Sequence, residues 1–177
     1  GVSGLQIGVV MKLDQDPAQQ YKVQVKLPVT QAETAGVWAR LATFYASSGI
    51  GNFFVPEIGD EVVLGFLNGD PSHPVVLGSL YSSKRKPPYE PAADNFTKAI
   101  VTRSELRVVF DDDKKSVTIT TPGNNQVVLS DDAKSIVLSD QHGNKVTLDA
   151  AGIALDSPKD ILLNAKGKIS LDAVGNV

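Results

Sequence analysis

Short alternating runs of apolar and polar residues dominate the chain, and no helical spacing of apolar residues extends beyond about one turn. In the run 21–27, Val23, Val25 and Leu27 lie on one side and polar residues on the other, which is the pattern of a half-buried strand. Similar apolar runs occupy 5–13, 36–42, 62–66 and 75–80. The last two runs predict a hairpin across the turn residues 68–74, which include Gly, Asp and Pro. Five strands within about 80 residues predict a small closed or nearly closed barrel and an all-β fold class.

The composition changes after Ser82. The segment from Ser82 to Pro91 is basic and rich in proline, and proline cannot donate a hydrogen bond inside a sheet. We therefore predict three regions: a barrel over 1–82, a proline-rich linker over 83–105 and a second region over 106–177.

The second region is periodic. Pairs of apolar residues at positions i and i+2 recur with spacings of 10, 9, 10, 7, 8 and 8 residues, and turn-forming residues separate them. We assign these pairs to the core along the axis of a trimer: Val117, Ile119, Val127, Leu129, Ile136, Leu138, Val146, Leu148, Ile153, Leu155, Ile161, Leu163, Ile169 and Leu171.

One unit of eight residues with two inward side chains cannot bury them alone, so equal units must stack. A single-chain parallel β-helix commonly uses about 18–25 residues per coil. Three chains around a common axis would supply three walls per layer and pair each chain's edge with its neighbour's. The repeat therefore predicts a trimeric, intertwined β-helix, a β-prism needle. Val177 opens a further repeat, and we expect the needle to be truncated at its C-terminus.

Charge and residue types narrow the function classes. The chain carries 17 basic and 20 acidic side chains, and its net charge of −3 disfavours binding to a phosphate backbone. Residues 1–82 also have a net charge of −3, so we interpret their aromatic residues as barrel core or trimer contacts rather than a base-stacking surface. These aromatic residues are Trp38, Phe44, Tyr45, Phe53 and Phe54.

No catalytic, cofactor or metal site is predicted. His73 and His142, the only histidines, lie in predicted turns, and a metal site needs about three or four ligands. Glu57, Asp60 and Glu61 crowd one strand entry, without the second acid cluster that glycoside cleavage would need. We interpret the basic run 84–86 as part of a solvated linker. The absence of cysteine excludes disulfides and thiolate ligands.

The run from Val55 to Phe66, the run from Asn68 to Tyr81 and the sequence Lys-Pro-Pro-Tyr at 86–89 together resemble the OB-fold module of the VgrG and contractile phage tail-spike family. The repeats over 106–177, which we call octads because their spacing approaches eight residues, are similar to the trimeric β-helix needle of that family. The positions that carry the OB-fold motif are Pro56, Gly59, Asp60, Glu61, Gly69, Asp70, Pro71, Pro74, Gly78 and Tyr81.

This resemblance implies a homotrimeric, membrane-puncturing spike of a contractile injection machine, without enzymatic activity. The machine would be a type VI secretion system, an extracellular contractile injection system or a phage tail. Implied partners are tube and baseplate proteins at the base, a PAAR-like tip protein or effector at the needle end, and the target membrane on firing, with no nucleic acid.

Family members usually carry a hub region before the OB module, so we expect this chain to be a fragment. Residues 5–11 are too short and lack the basic leader of a secretory signal. We therefore expect assembly in the bacterial cytoplasm without a Sec signal, followed by delivery outside the cell or into a target cell by sheath contraction.

Two alternative functions stay open at this point. One is a single-chain β-helix enzyme acting on polysaccharide, which would be a monomer with a groove of carboxylates and aromatic residues. The other is an OB-fold nucleic-acid binder with a structural tail, which the negative charge disfavours.

Overall fold

The computed structural model describes residues 1–28 and 36–175, which divide into two compact units, Gly1–Pro87 and Pro88–Val177. Twelve strands and one short 3-10 turn, Leu67–Gly69, make up the regular structure of the described residues, so the predicted all-β class is confirmed. The strands are β1 Gln6–Lys12, β2 Val23–Lys26, β3 Val37–Leu41, β4 Glu61–Phe66, β5 Pro74–Leu80, β6 Thr97–Val101, β7 Arg107–Asp111, β8 Ser116–Thr120, β9 Gln126–Ser130, β10 Ser135–Ser139, β11 Lys145–Asp149 and β12 Gly152–Asp156.

The first unit is a closed five-stranded barrel, as the sequence predicted, and its strand order is β1-β2-β3-β5-β4. Strand β3 runs parallel to β5, and every other neighbouring pair is antiparallel. The predicted alternation in β2 is confirmed, since Val23 and Val25 are buried and the residues between and after them are not. The interior is filled by small and medium apolar side chains: Val10, Val23, Val25, Ala39, Val62, Leu64 and Val76.

The predicted hairpin between β4 and β5 is also confirmed. Its strands pair from Glu61↔Leu80 to Phe66↔Pro74, with an irregularity in the register between Val63 and Leu64. The turn closes through a hydrogen bond from the Leu67 backbone N–H to the His73 carbonyl oxygen (3.0 Å). Asn68 and Gly69 adopt the left-handed backbone that such a tight turn requires.

The second unit is a single antiparallel sheet in which each strand pairs with the next along the chain, from β6 to β12. Strand β6 falls inside the segment 83–105 that the proline content marks as a linker. Every strand from β6 to β12 has five residues, and loops of two to five residues join β7 to β12. Such loop lengths are those of hairpins, so the local sequence folds this region back and forth on itself.

The strands over 97–156 pair within one chain, whereas the predicted needle had each chain pairing with its neighbours. Over 97–156 the ladder partners of each strand come from the same chain. An apolar pair at i and i+2 specifies only that the strand has one apolar face, so the repeat alone does not distinguish a partner in the same chain from one in another. Between Asp156 and Gly175 the structure assigns no strand.

Candidate functional site: an uncovered sheet face

One face of the second sheet is apolar across strands β8 to β12. Residues directly opposite each other in antiparallel strands project to the same face, and the register joins Ile119 to Val127, Val127 to Leu138, Leu138 to Val146 and Val146 to Leu155. A second column beside it consists of Val117, Leu129, Ile136, Leu148 and Ile153. We call the two columns together the apolar face. It holds the first ten of the fourteen residues predicted for a trimer axis.

The apolar face begins earlier in the chain than the repeat suggested. Val108 and Phe110 of β7 pair with Ile119 and Val117, and Ile100 of β6 pairs with Val108, so both columns continue into these strands. The sequence does contain this pattern in the run 107–111, where apolar residues occupy positions 108 and 110. Lys98, which takes the place of an apolar residue opposite Phe110, obscured the repeat in β6.

The opposite face of the sheet has a different composition. The first, third and fifth residues of each strand point there, and in β8 these are Ser116, Thr118 and Thr120. Strands β9 and β10 have polar residues at both ends and a central valine on this face. This face can therefore remain in water, whereas the apolar face cannot do so without cost.

Nothing within this unit covers the apolar face. Among the described residues 88–175 none is buried, and Ile119, Leu129, Ile136 and Leu138 are all exposed. Ile119, Val127, Leu138 and Val146 form the apolar floor of a shallow groove. A sheet with one apolar face must bury it against another layer to be stable in water.

The last octads lack pairing partners as well as cover. Ile161, Leu163, Ile169 and Leu171 lie outside the strands and are exposed, and the side chain of Leu171 retains 71% of its accessible surface. Strand β12 pairs only with β11, so its other edge presents free backbone groups. Both the edge and the octads therefore have the groups needed to pair with strands of other chains.

Aspartate side chains order the turns at the sheet margin. Asp140 accepts hydrogen bonds from the backbone N–H groups of His142 and Asn144 (both 2.9 Å) and from the Asn144 side-chain amide (2.7 Å). The bond from the Asn144 side chain, together with these backbone bonds, lowers the pKa of Asp140. His142 thus lies in a turn, as predicted.

The motif residues Gly59 and Asp60 fasten the start of the linker to the barrel. Asp60 Oδ2 accepts a hydrogen bond from the Glu57 backbone N–H (2.8 Å), and its Oδ1 accepts one from Arg85 Nη1 (2.8 Å). A Cβ on residue 59 would overlap the Arg85 guanidinium, and the φ of +90° at this position also favours glycine. Arg85 therefore stays exposed to solvent and in addition forms an ion pair with the barrel.

The Ser82 side chain completes this attachment. Its hydroxyl accepts hydrogen bonds from the backbone N–H groups of Lys84 (3.3 Å) and Arg85 (3.1 Å), and its own backbone N–H donates to the Arg85 carbonyl oxygen (3.0 Å). The chain therefore leaves the barrel through a defined turn rather than a free tether.

The remaining motif residues lie in the β4–β5 hairpin or next to it. Asp70 accepts hydrogen bonds from the Ser72 hydroxyl (2.6 Å) and the Ser72 backbone N–H (2.9 Å), and it contacts His73 Nδ1 (2.9 Å). The Ser72 bonds, followed by the contact with His73, lower the pKa of Asp70 to about 2. Pro74 begins β5, Gly78 pairs with Val63, and Tyr81 follows the end of β5.

The described residues hold neither a candidate metal cluster nor a membrane-spanning helix. Across 1–28 and 36–175, no three His, Cys, Asp or Glu side chains gather where they could hold a metal ion. In the same residues, no helix is long and apolar enough to cross a bilayer.

Each of the two units matches a known protein family domain. Residues 6–81 match the type VI secretion system/phage-baseplate injector OB domain. Residues 116–175 match the phage baseplate V C-terminal trimerisation domain. An OB barrel followed by a trimerisation sheet defines the class of baseplate injector proteins. The chain thus carries two domains of the type VI secretion system and phage-baseplate injector proteins.

Individual relatives match a part of the chain. The type VI secretion system spike protein VgrG1a of Pseudomonas aeruginosa is 33% identical over 72 residues, which cover 41% of this chain and 11% of the relative. VgrG3 of Vibrio cholerae is 36% identical over 69 residues, or 39% of this chain and 7% of the relative. The actin cross-linking toxin VgrG1 of Vibrio cholerae is 40% identical over 57 residues, or 32% and 5%. The matches span about a tenth or less of these relatives.

Proposed function

We propose that this chain is the barrel and needle of a homotrimeric, membrane-puncturing spike in a contractile injection machine. The observation that supports this most directly is the apolar face, which extends without cover from β7 to β12 and in one column into β6. The unit that contains it has no buried residue among those described. The match of residues 116–175 to a trimerisation domain indicates that other copies of the chain provide the cover.

In this proposal, three sheets pack their apolar faces around a common axis. Each sheet forms one wall of a prism, and the fourteen predicted axial residues together with Ile100, Val108 and Phe110 fill its interior. The polar face of each sheet faces solvent. Three equivalent walls satisfy the three-fold symmetry that a closed homotrimer requires.

The octads after Asp156 provide the intertwined part of the needle. They keep a constant spacing of eight residues, have no strand partner in their own chain and follow an unpaired sheet edge. Pairing between chains would satisfy their backbone groups, and the three chains could then separate only by a joint unwinding. Such a structure unfolds slowly, which suits a needle that must transmit an axial force.

The proposed role of the spike is mechanical, and this role implies which partners it contacts. The spike would contact tube and baseplate proteins at its base, carry a PAAR-like tip protein or effector at the needle end and meet the target membrane when the sheath contracts. The relatives named as secretion-system spike proteins support this assignment. We propose assembly in the bacterial cytoplasm and delivery by sheath contraction.

The single-chain β-helix alternative gains no support from the fold. That architecture stacks parallel coils, whereas strands β6 to β12 form antiparallel hairpins. The nucleic-acid alternative is likewise not favoured, because the barrel surface has no excess of positive charge.

Light scattering on the purified chain tests the trimer, and electrophoresis in SDS without boiling tests the intertwining. We expect a mass of three 18.8 kDa chains and a band that survives the detergent. A chain ending at Asp156 is the matched variant. It should still associate through the apolar face but should dissociate in SDS, because it lacks the intertwined octads. A monomeric full chain would refute the proposal.

A further inference from the structure

The loop between β3 and β4 presents a group of uncovered aromatic side chains on the barrel. Phe44 and Phe53 retain 90% and 89% of their accessible surface, and Tyr45, Ile50 and Phe54 are also exposed. Together they expose on the order of 600 Å² of apolar surface, because a single aromatic side chain can bury about 150–250 Å². This is at the upper end of the roughly 300–600 Å² of the largest apolar patch on a typical monomer, and such patches are often functional. We call residues 43–54 the aromatic hairpin.

The aromatic hairpin is ordered by its own backbone. Ala46 and Gly51 form an antiparallel bridge, and the Asn52 backbone N–H donates to the Tyr45 carbonyl oxygen (2.8 Å). A Cβ on residue 51 would lie 2.7 Å from the Tyr45 carbonyl oxygen, so the close approach of the two arms requires glycine there. The prediction that Phe44, Tyr45, Phe53 and Phe54 belong to the barrel core is therefore wrong, and the alternative prediction of a trimer contact is the one that remains.

The aromatic hairpin lies at the end of the barrel from which the chain leaves for the second unit. Strands β3 and β5 are parallel and Leu41 pairs with Val76, so the chain leaves β3 in the direction of the end at which β5 finishes. The pairing of Glu61 with Leu80 places the start of β4 at that end. The aromatic hairpin therefore connects a strand that runs towards the exit of β5 with a strand that starts there.

We propose that the aromatic hairpin packs against the barrel of a second copy of the chain, so that the three barrels form a collar. This inference rests on the proposed homotrimer. The segment 81–96 between β5 and β6 spans at most roughly 55 Å, at about 3.3–3.6 Å per residue. Trimerised sheets therefore hold the three exit ends close together, where effective concentrations reach about the millimolar range.

The charge of the aromatic hairpin favours an identical partner. Residues 42–56 contain no charged side chain. When copies meet around a symmetry axis, each charge faces an equivalent charge nearby, and such juxtaposition disfavours association. An uncharged surface avoids this repulsion, and its aromatic residues are the types enriched in the buried centre of interfaces.

Hydroxyl-radical footprinting of the intact protein tests the inference, with the mass measured on the same sample. The comparison is with the Leu148→Asp variant, whose apolar face carries a carboxylate and should not trimerise. We expect Phe44 and Phe53 to be labelled roughly tenfold more slowly in the trimer, since labelling follows exposed area and an interface core is nearly fully buried. His73, in the β4–β5 turn at the opposite end of the barrel, should be labelled equally in both proteins.

Equal labelling of Phe44 and Phe53 in trimer and monomer would overturn this inference while leaving the homotrimer intact. It would assign the aromatic hairpin to a different partner, such as a tube or baseplate protein. A wild-type mass of one chain would overturn the homotrimer and this inference together.

A double variant keeps the test independent of the monomer. Phe44→Lys with Phe53→Lys introduces two charges in each copy, and we expect the protein to stay trimeric while Tyr45 and Phe54 become labelled several-fold faster than in the wild-type trimer. The matched control is Leu67→Lys in the β4–β5 turn, which should leave that labelling unchanged. Unaltered protection of Tyr45 and Phe54 in the double variant would contradict the proposed contact.

Discussion

The barrel and the sheet are built from similar strands but differ in where their cores come from. Five strands of the barrel close on themselves, and all the buried residues among those described lie inside it. Seven strands of the sheet remain open, with two faces, two edges and no interior. Closure gives a β-sheet a buried interior and leaves no unpaired edge. An open single sheet needs a partner to cover its apolar face and to pair with its edge strands.

This difference separates two kinds of stability in one chain. The barrel can unfold as a unit with its own free energy, since burying each Val or Leu side chain contributes about 1.5–3 kcal/mol. In the proposed trimer, the stability of the sheet would depend on the concentration of chains, as in other assemblies without a stable folded monomer. The chain would then combine a domain that is complete alone with one that is complete only as an assembly.

The largest expected effect comes from a charge on the apolar face. Leu148→Asp would place three carboxylates in one layer of the trimer core, and burying an ionised carboxylate without a partner costs at least several kcal/mol. We expect the mass at neutral pH to fall from three chains to one, as measured by light scattering at micromolar concentration.

The neighbouring residue supplies the control. Thr147 lies next to Leu148 in β11 but projects to the polar face of the sheet, opposite Val137 and Ala154. Thr147→Asp should therefore keep the mass of three chains. Equal loss of the trimer in both variants would contradict the assignment of the apolar face to the axis.

The sequence predicted those parts of the fold that depend on local alternation. Val23 and Val25 mark a barrel strand because the residues between them are polar, and the spacing of apolar pairs marks the strands from β8 to β12. The β4–β5 hairpin was predictable because its turn contains Gly, Asp and Pro. In each case the signal and the structure lie within a few residues of each other.

The remainder depends on contacts that alternation does not encode. The exposure of Phe44 and Phe53 could not be predicted, because an aromatic residue in a loop suits a core and an interface equally. The ion pair between Asp60 and Arg85 joins residues 25 positions apart through the three-dimensional course of the linker. Pairing within 97–156 could not be distinguished from pairing between chains, since both bury the same face.

A cavity in the barrel core should produce the next largest effect, and only in the first unit. Leu64 is fully buried, and Leu→Ala at such positions typically costs about 2–5 kcal/mol. Trp38 in β3 is the only tryptophan, so its fluorescence in urea reports barrel unfolding selectively. We expect Leu64→Ala to lower the urea midpoint while the mass of three chains is retained. Leu77→Ala, at an exposed position in β5, is the matched control.

A smaller effect is expected where the linker is attached to the barrel. The Arg85–Asp60 pair is partly exposed, and such pairs contribute about 0.2–1 kcal/mol. Arg85→Ala should therefore leave the urea midpoint nearly unchanged but speed amide exchange at Arg85, whose N–H is held by Ser82. Lys84→Ala should have less influence on that exchange. If the two variants exchange equally fast, the ion pair does not fasten the linker.

The smallest expected effect is a pH dependence at the β4–β5 turn. Because the Ser72 bonds lower the pKa of Asp70 to about 2, Asp70 stabilises the folded barrel at pH values above its ordinary pKa. That contribution is lost as the pH falls towards 2, where the carboxyl becomes protonated in the folded state as well.

The melting temperature of Asp70→Asn, followed through Trp38, should be lower than that of the wild type at pH 6, and the difference should shrink on acidification. Asp140, in a turn of the sheet, also has a lowered pKa, and Asp140→Asn should leave the Trp38 transition unchanged. A difference for Asp70→Asn that persists undiminished at pH 2 would show that the turn depends on the shape of the side chain rather than on its charge.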